Sequence, residues 1–542
     1  MTDALHSIIG FPEISPLWKE HLASAMLYDP AAPLQLPSAF MLAALLLFLL
    51  VHGFLHRRRT ARNMFAALFS LYLYYKLAGA YVLLLLFIAV SDFLIARAIG
   101  GSSLHEAYGS GPHALSNDGA KTVNPSEHAD GQARRNRRLL ALSVAVNVSI
   151  LVFFKANGVF ADFIGALSHG GVTLRHIAVP AGISFFCFQS ISYVADTYHG
   201  KTAPLRHFPD YLLLLAFFPK MFLGPLVRNS DFIAQIQRED ISTTREDMGE
   251  ATRLIVSGIL KFCILSKLMG QLFVAPAFAG TLGEDGFTAL MAAYAFTFQL
   301  YCDFSGYTDL ASGISLLAGY RLPLNFRLPY HSATITEFWR RWHITLSSWL
   351  RDYLYIPLGG NRRGTVRTYF NLLLTMLLGG LWHGVGIMFV LWGLWHGVLL
   401  CLHKLWMRIV PGAAPTGSGL PFWRRAIGVA VTFNAVAFGW LMFRSPDWST
   451  FTQMLHSIFC DFTPETVTPV LAANIQAFSA LAAAVLLHAV PSSALPRLDR
   501  LCTSVRLPGQ TLLIAIAIWL ALQCRAIFFS AATSALPIYA NF

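Results

Sequence analysis

Long apolar runs separated by short polar segments dominate the chain. A membrane-spanning helix needs about 20 mostly apolar residues. Windows of about that length lie at 38–55, 80–98, 139–156, 208–228, 252–278, 285–303, 385–409, 424–443, 470–491 and 511–530. Shorter or interrupted apolar runs lie near 64–78, 178–195, 305–319 and 368–383. The pattern predicts an all-α, polytopic membrane protein with about eleven to fourteen membrane segments, some of them short or re-entrant.

The composition supports this prediction. Of the 542 residues, 55% are hydrophobic and only 13% are charged, whereas soluble globular domains carry about 25% charged residues. The net charge is +12, but the basic residues cluster beside apolar runs and form no continuous stripe with interleaved aromatic residues. We therefore expect membrane lipids, and no nucleic acid, as partners of the basic residues.

The basic clusters also predict an orientation. Arg57, Arg58 and Arg59 follow the first span, and a second cluster at 134–138 directly precedes the span at 139. Because cytoplasmic loops are enriched in Lys and Arg, both clusters should be cytoplasmic and the N-terminus should lie outside. We expect an extracytoplasmic segment at 1–37, membrane helices at 38–156 that include a cytoplasmic loop at 99–138, and C-terminal membrane helices at 446–542.

Ionisable residues concentrate between positions 300 and 400. Such residues are costly at membrane depth unless they are paired or face water, so their density indicates a site. They are Asp303, Asp309, Arg321, Arg327, Glu337, Arg340, Arg341, His343, Arg351, Asp352, Arg362, Arg363, His383 and His396.

Two histidines are the main catalytic candidates. His383 ends an apolar run and is flanked by Gly379, Gly380 and Gly384, which let another backbone or a ligand approach closely. His343 follows Trp339 and Trp342 on a segment that is also typical of an interfacial helix with Trp anchors. His396 has no polar neighbour on its own helix, and we expect a hydrogen-bonded core histidine there.

The segment 301–309 combines two carboxylates with two phenols inside an apolar run. In one hypothesis, Asp303 and Asp309 pair with the arginines of 321–351 and hold short helices together. In the other, Asp303, Ser305 and Tyr307 line a substrate site. No GxSxG, HExxH, GxGxxG or CxxC motif is present, so the sequence gives no support for hydrolase, zinc or dinucleotide sites, and no metal is expected.

Four ordered motifs resemble the membrane-bound O-acyltransferase family, and within it the bacterial branch that O-acetylates exported polysaccharides. They are FFPKMFLGPLVR at 217–228, YCDFSGYTD at 301–309, ITEFWRRWHITLSSWLRDYLYIPLGGNRR at 335–363 and LLGGLWHG at 377–384. The resemblance implies a catalytic core at 178–445, built as a helical shell around a central funnel in a bacterial inner membrane.

The resemblance also implies residue roles. His383 matches the family's catalytic histidine, and His343 matches its second active-site position. A thioester acyl donor, acetyl-CoA or another acyl-CoA, arrives from the cytosol, and no permanently bound cofactor is implied. The expected lining residues are Asp303, Ser305, Tyr307, Trp339, Arg340, Arg341, Trp342, Arg362, Arg363 and Trp382.

Independent chemistry is compatible with these roles. A neutral imidazole can take the proton of an attacking hydroxyl, and a second His or a Trp N–H can stabilise the developing oxyanion. The seven arginines between 321 and 363 can bind the phosphates of coenzyme A, with lipid headgroup contact as the alternative for each.

Two classes of function remain open from the sequence. The first is an acyltransferase that acts on a polysaccharide directly or through an extracytoplasmic acetyltransferase or glycan synthase partner, with teichoic acid as another acceptor. The second is a non-enzymatic transporter or flippase of a lipid-linked glycan. Dependence of thioester turnover on His383 separates the two classes.

Overall fold

The fold is helical throughout the part of the chain that the computed structural model describes, residues 27–29, 38–108, 125–168, 177–283, 285–410 and 421–529. No strand occurs among these residues. This confirms the prediction of an all-α, polytopic membrane protein. Most of the expected segment 1–37 lies outside the described residues.

The described residues of the first half of the chain contain eleven α-helices. They are α1 (Ala39–Phe54), α2 (Arg59–Ala78), α3 (Val82–Tyr108), α4 (Pro125–Leu167), α5 (Ile183–Tyr198), α6 (Phe208–Ala216), α7 (Phe218–Met221), α8 (Asn229–Ile236), α9 (Arg245–Gly258), α10 (Ser266–Met269) and α11 (Ala275–Phe278). The π-helical segments Ile259–Leu265 and Gly270–Val274 join α9, α10 and α11 into one continuous helix.

Eleven more lie in the described part of the second half. They are α12 (Gly286–Leu317), α13 (Ile335–Trp339), α14 (Ile344–Leu350), α15 (Thr365–His383), α16 (Ile387–Ile409), α17 (Phe422–Arg444), α18 (Trp448–Cys460), α19 (Val467–Ala473), α20 (Ile475–Ala489), α21 (Leu495–Ser504) and α22 (Leu507–Phe528). The π-helical segment Arg351–Tyr355 continues α14, and single 3₁₀ turns lie at Gly79–Tyr81, Pro329–His331, Pro464–Thr466 and Ser492–Ala494.

Six helices in the described residues are long and apolar enough to cross a membrane, or seven if the bent pair Pro464–Ala473 and Ile475–Ala489 forms one span. Our windows predicted more segments, partly because the windows 285–303 and 305–319 form the single helix α12. The expected loop at 99–138 is also shorter, since α3 continues to Tyr108 and α4 begins at Pro125. Its centre, 109–124, lies outside the described residues.

The helix that carries His383 packs closely against its successor. A Cβ atom on Gly380 of α15 would lie 2.3 Å from the carbonyl oxygen of Phe389 and 3.2 Å from Cα of Gly393 on α16. A Cβ on Gly393 would lie 2.6 Å from the carbonyl oxygen of Met376. Glycine at these positions lets the two backbones touch, so the α15–α16 pair fixes the place of His383.

Ion pairs inside the apolar region join α12 to the helix before it. Asp309 lies 2.5 Å from Nζ of Lys261, and Asp303 lies 3.6 Å from Nζ of Lys267 and accepts from Ser266 Oγ at 3.1 Å. Both carboxylates thus form ion pairs between helices, as the first hypothesis predicted. The predicted partners were wrong, because the carboxylates pair with lysines and not with the arginines of 321–351. Helix-to-helix pairing of this kind offsets the cost of charges at membrane depth.

The basic residues after α1 contact the segment that follows α8. Arg57 pairs with Asp240 at 3.5 Å and Arg59 with Glu239 at 2.9 Å. Arg62 is fully buried and donates to backbone carbonyls of 236–239. These contacts therefore attach the start of α2 to the segment at 236–240. The exposed arginines at this end also form a charged surface.

The orientation remains a prediction, and labelling tests it. Thr60 and Asp130 are both exposed, one beside each basic cluster. In a cysteine-free background, Thr60→Cys and Asp130→Cys should react with an impermeant maleimide only after cells are permeabilised, because both clusters should be cytoplasmic. Reaction in intact cells would reverse the predicted orientation.

Candidate active site

His383 lies at the C-terminal end of α15 and is buried, with 4% of its surface exposed. Three aromatic rings surround its imidazole, with centroid distances of 4.7 Å to Trp382, 5.1 Å to Trp392 and 5.2 Å to Phe443. After His383 the chain leaves the helix in an extended conformation at Gly384. The histidine is thus held at a helix end inside an aromatic box.

A lysine from another helix contacts the same helix end. Lys155 of α4 donates from Nζ to the carbonyl oxygen of Trp382, and to that of His383 at 3.3 Å. Its ammonium also lies 5.5 Å from the centroid of the Trp382 ring. The sequence analysis did not single out Lys155, although a lone lysine within an apolar span is a recognisable signal.

His343 is held in an unusual backbone conformation at the start of α14. Its φ is +41°, one of two positive values among the described non-glycine residues, and it is 1% exposed. Nδ1 lies 3.1 Å from Oδ1 of Asn325, which also accepts from the Thr345 hydroxyl at 2.9 Å. Strained, over-determined backbone of this kind concentrates at functional sites.

The Asn325 contact fixes the tautomer of a neutral His343. Because an amide oxygen only accepts, Nδ1 of His343 carries the proton and Nε2 keeps its lone pair. Nε2 is buried and has no hydrogen-bond partner among the described residues. In this arrangement His343 is an acceptor. Asn325 is a second residue that sequence reasoning missed, since nothing in its local sequence marks it.

Trp382 connects the two histidines. Its ring lies 4.7 Å from that of His383 and 6.5 Å from that of His343. Its indole Nε1 is buried without a hydrogen-bond partner among the described residues, and the same holds for Nε1 of Trp339, Trp392 and Trp440. Buried indole N–H groups normally find a partner, so the region offers several unused donors beside His383.

Two cavities meet at Lys155 and Trp382. The first, about 30 Å³, borders His383 and is also lined by residues 179–185 and by Phe222 and Leu223. This volume holds about two water molecules. The second, about 990 Å³, is mostly apolar and lies between α4, α5, the segment 349–357 and the end of α15.

The large cavity is an elongated space along α4. Its lining residues on this helix include Leu140 and Lys155, which are roughly 22 Å apart at 1.5 Å per residue. One wall is a stack in which Phe188 lies 3.9 Å from Trp349 and 5.5 Å from Trp382. The cavity therefore leads from the start of the apolar part of α4 to the rings that enclose His383.

Two charged residues, Lys201 and Asp352, line part of the large cavity. Asp352 pairs with Arg228 and Arg351, and Lys201 lies 3.7 Å from Asp196. Burial alone would raise the pKa of the Asp352 carboxyl, but the hydrogen bonds and charges of Arg351 and Arg228 outweigh burial and lower it. The three cations here are Arg228, Arg351 and Lys201, and the two carboxylates are Asp196 and Asp352. This part of the cavity is therefore weakly positive at neutral pH.

The remaining predicted aromatic residues form the packing behind His383. Trp342 is 1% exposed and packs on Trp440 at 4.9 Å, while Trp339 packs on Trp392 at 5.9 Å. His396 lies 5.0 Å from the Trp392 ring, and neither of its ring nitrogens has a hydrogen-bond partner among the described residues. The expectation that His396 is a hydrogen-bonded core histidine was therefore wrong about the hydrogen bonds.

The predicted arginines divide into two groups. Several are occupied by carboxylates, because Arg321 lies 2.8 Å from both Asp247 and Glu250, and Arg341 lies 2.7 Å from Glu337. Glu337 thus pairs with Arg341 and not with Arg340. Of the predicted arginines, four are exposed and have no ion pair among the described residues, namely Arg327, Arg340, Arg362 and Arg363.

The predicted residues on α12 lie apart from His383. Asp303, Ser305 and Tyr307 are buried between α12 and the preceding helix, and Tyr307 packs edge-on to Phe262 at 6.0 Å. None of the three borders either cavity. Their positions agree with a structural role. Among the described residues, no group of three or more His, Cys, Asp or Glu side chains is placed to hold a metal ion.

Comparison with known proteins relates part of the chain to a protein family. The model of the membrane-bound O-acyltransferase family matches residues 203–438. The chain is 39% identical over 327 residues to the probable alginate O-acetylase AlgI of Pseudomonas putida, covering 60% of this chain and 65% of that protein. It is 35% identical over 351 residues to the peptidoglycan O-acetyltransferase of Helicobacter pylori, covering 59% and 64%.

A more distant relative is the teichoic acid D-alanyltransferase of Streptococcus thermophilus, 29% identical over 287 residues that cover 48% of this chain and 67% of that protein. The first relatives are thus matched over slightly less than two thirds of their length. The region matched by the family model contains His343, His383, Asn325 and the α15–α16 pair. Over residues 203–438 the chain is similar to the membrane-bound O-acyltransferase family.

Proposed function

We propose that the protein transfers an acyl group, most simply acetyl, from a cytosolic acyl-CoA to a hydroxyl of an exported polysaccharide or of an extracytoplasmic partner enzyme. The observation that carries the proposal is the meeting of the large apolar cavity with the aromatic box of His383 at Trp382. A thioester placed in that cavity brings its acyl carbon toward the end of α15, which carries the buried His383.

In the proposed reaction His383 acts as the general base. It takes the proton of the acceptor hydroxyl as the oxygen attacks the thioester carbonyl carbon, forming a C–O bond. Collapse of the tetrahedral intermediate breaks the C–S bond. The proton then passes from His383 to the departing thiolate, so that free thiol and ester are the products and the imidazole is neutral again.

The oxyanion needs donors, and the structure alters which residue we propose for this role. His343 presents a lone pair at Nε2, so in its neutral form it does not donate there. The buried indole N–H of Trp382 is the better candidate, because it has no partner among the described residues and lies beside both cavities. A preorganised donor in a water-poor site is worth about 2.7–4 kcal/mol in the barrier.

The proposed donor side is the charged end of the large cavity. The loop that carries Arg362 and Arg363 follows Ile356 and Pro357, which line this cavity. Both arginines are exposed and have no ion pair among the described residues. They are therefore the predicted arginines best placed to hold the phosphates of coenzyme A by bidentate contacts.

Removing both arginines tests this assignment. Arg362→Ala with Arg363→Ala should raise the apparent KM for acetyl-CoA by roughly a hundredfold or more at low salt, because each of the two charge-assisted contacts contributes about 1.5–3 kcal/mol. Steady-state kinetics in detergent measure the change, with Arg327→Ala as the exposed control. An unchanged KM would assign the pair to lipid headgroups.

The acceptor class is proposed from the relatives. Those named above act, by their names, on alginate, on peptidoglycan or on teichoic acid, which are hydroxyl-bearing polymers of the cell exterior. An exported glycan, reached directly or through an acetyltransferase partner, is the corresponding acceptor here. The transporter hypothesis has no specific observation in its favour.

Thioester turnover tests the proposed function. Purified protein with acetyl-CoA and a soluble glycan acceptor should release free thiol in proportion to the ester formed, and the release should depend on His383. Transport of a lipid-linked glycan without thiol release would support the alternative.

A further inference from the structure

Lys155 is a cation within a membrane-spanning helix, and no carboxylate among the described residues pairs with it. It lies in the span Asp130–Leu167. Lys261 and Lys267 each face a carboxylate, whereas Lys155 has none among the described residues. A charged side chain at membrane depth is costly and is retained where it serves a site. The place where its ammonium lies therefore indicates its purpose.

The ammonium lies at the C-terminal end of α15. The last carbonyls of a helix have no donor within the helix, and this end carries a partial negative charge that cations stabilise. The final intrahelical bond here is from the Gly384 N–H to the Gly380 carbonyl. Lys155 donates to the carbonyls of Trp382 and His383, so it supplies the missing donors at these two residues.

We infer that Lys155 is a positioning residue for His383. This inference rests on the proposed function and adds a residue that acts through the backbone and not on the substrate. By holding the Trp382 and His383 carbonyls, Lys155 fixes the last turn of α15 and with it the direction of the imidazole. Because Lys155 and Trp382 border both cavities, the same contact keeps the wall between them in place.

The inference predicts a kinetic signature. Lys155→Met keeps the length and apolar stem of the side chain but removes the charge and the donors. Its kcat should fall roughly tenfold to a hundredfold, as expected when hydrogen bonds from a charged group are lost. The KM for acetyl-CoA should stay within about twofold, since the donor phosphates bind elsewhere. Lys155→Arg, which retains charge and donors, should restore most of the lost kcat.

The experiment compares wild type, Lys155→Met, Lys155→Arg, Lys155→Gln and His383→Ala as purified full-length proteins, with Lys404→Met on α16 as the control. Each is assayed for thiol release and for melting temperature. A Met variant with wild-type kcat would overturn the inference, as would equal losses in the Met and Arg variants.

If the Met variant does not fold, the Arg and Gln variants decide. The inference then requires a higher kcat for arginine than for glutamine, because glutamine donates without charge; equal values would overturn it. Absence of thiol release from the wild type would instead contradict the proposed function. Turnover that depends on His383 and ignores Lys155 would contradict the inference alone.

Discussion

Replacing His383 with alanine is expected to lower acyl transfer by about 10²–10⁴-fold, the usual contribution of a positioned general base. The substitution removes the imidazole from the box formed by Trp382, Trp392 and Phe443, and no other histidine borders either cavity at that end of α15. Ester formation on the glycan, measured in membranes with equal amounts of protein, gives the effect.

The control for this variant is His456→Ala. His456 is exposed on α18 and lies 3.0 Å from Asp461, far along the chain from the proposed site. Its loss should leave both activity and protein abundance near wild type. Wild-type transfer by a folded His383→Ala variant would show that another group takes the hydroxyl proton.

Two adjacent glycines should respond to alanine in opposite ways. At Gly380 the new Cβ would lie 2.3 Å from the Phe389 carbonyl oxygen, which belongs to the backbone of α16 and has little room to move. We expect loss of folded protein or a destabilisation of at least about 1–3 kcal/mol, as for other overpacked sites. Activity should fall as well, because α15 carries His383.

At Gly379 the new Cβ meets only a side-chain methyl of Leu350, at 3.6 Å. Gly379→Ala should be tolerated and should stabilise the helix by up to about 1 kcal/mol through its higher helix propensity. Thermal unfolding of both variants in detergent measures the difference. Equal melting temperatures would mean that α15 and α16 are not packed backbone to backbone.

Local sequence predicted the all-α fold, because helices depend on short-range patterns. Apolar runs of about 20 residues predict spans wherever they occur, and a histidine that ends such a run attracts notice without any knowledge of its neighbours. The family motifs then supplied roles for His383 and His343. The paired glycines beside His383 were also visible, although their partners on α16 were not.

Long-range pairing was harder to predict. Asp303 and Asp309 pair with lysines on the preceding helix. Many other cations lie at a similar separation along the chain, so sequence separation alone does not identify the partners. Lys155 reaches a helix end more than 200 positions later, and no periodicity connects the two. Asn325, which sets the tautomer of His343, is likewise ordinary in its local context. Such contacts depend on tertiary packing.

If a thioester binds in the large apolar cavity and reacts beside His383, acyl transfer should depend on the shape of that cavity. Purified protein is supplied with ¹³C-acetyl-CoA and a glycan acceptor, and mass spectrometry follows the label together with free thiol. We expect one labelled ester per thiol released. We expect both products to be lost when Trp349→Leu with Phe188→Leu collapses the aromatic wall of the cavity. Labelled ester formed at the wild-type rate by that folded double variant would show that the thioester does not react from the large cavity.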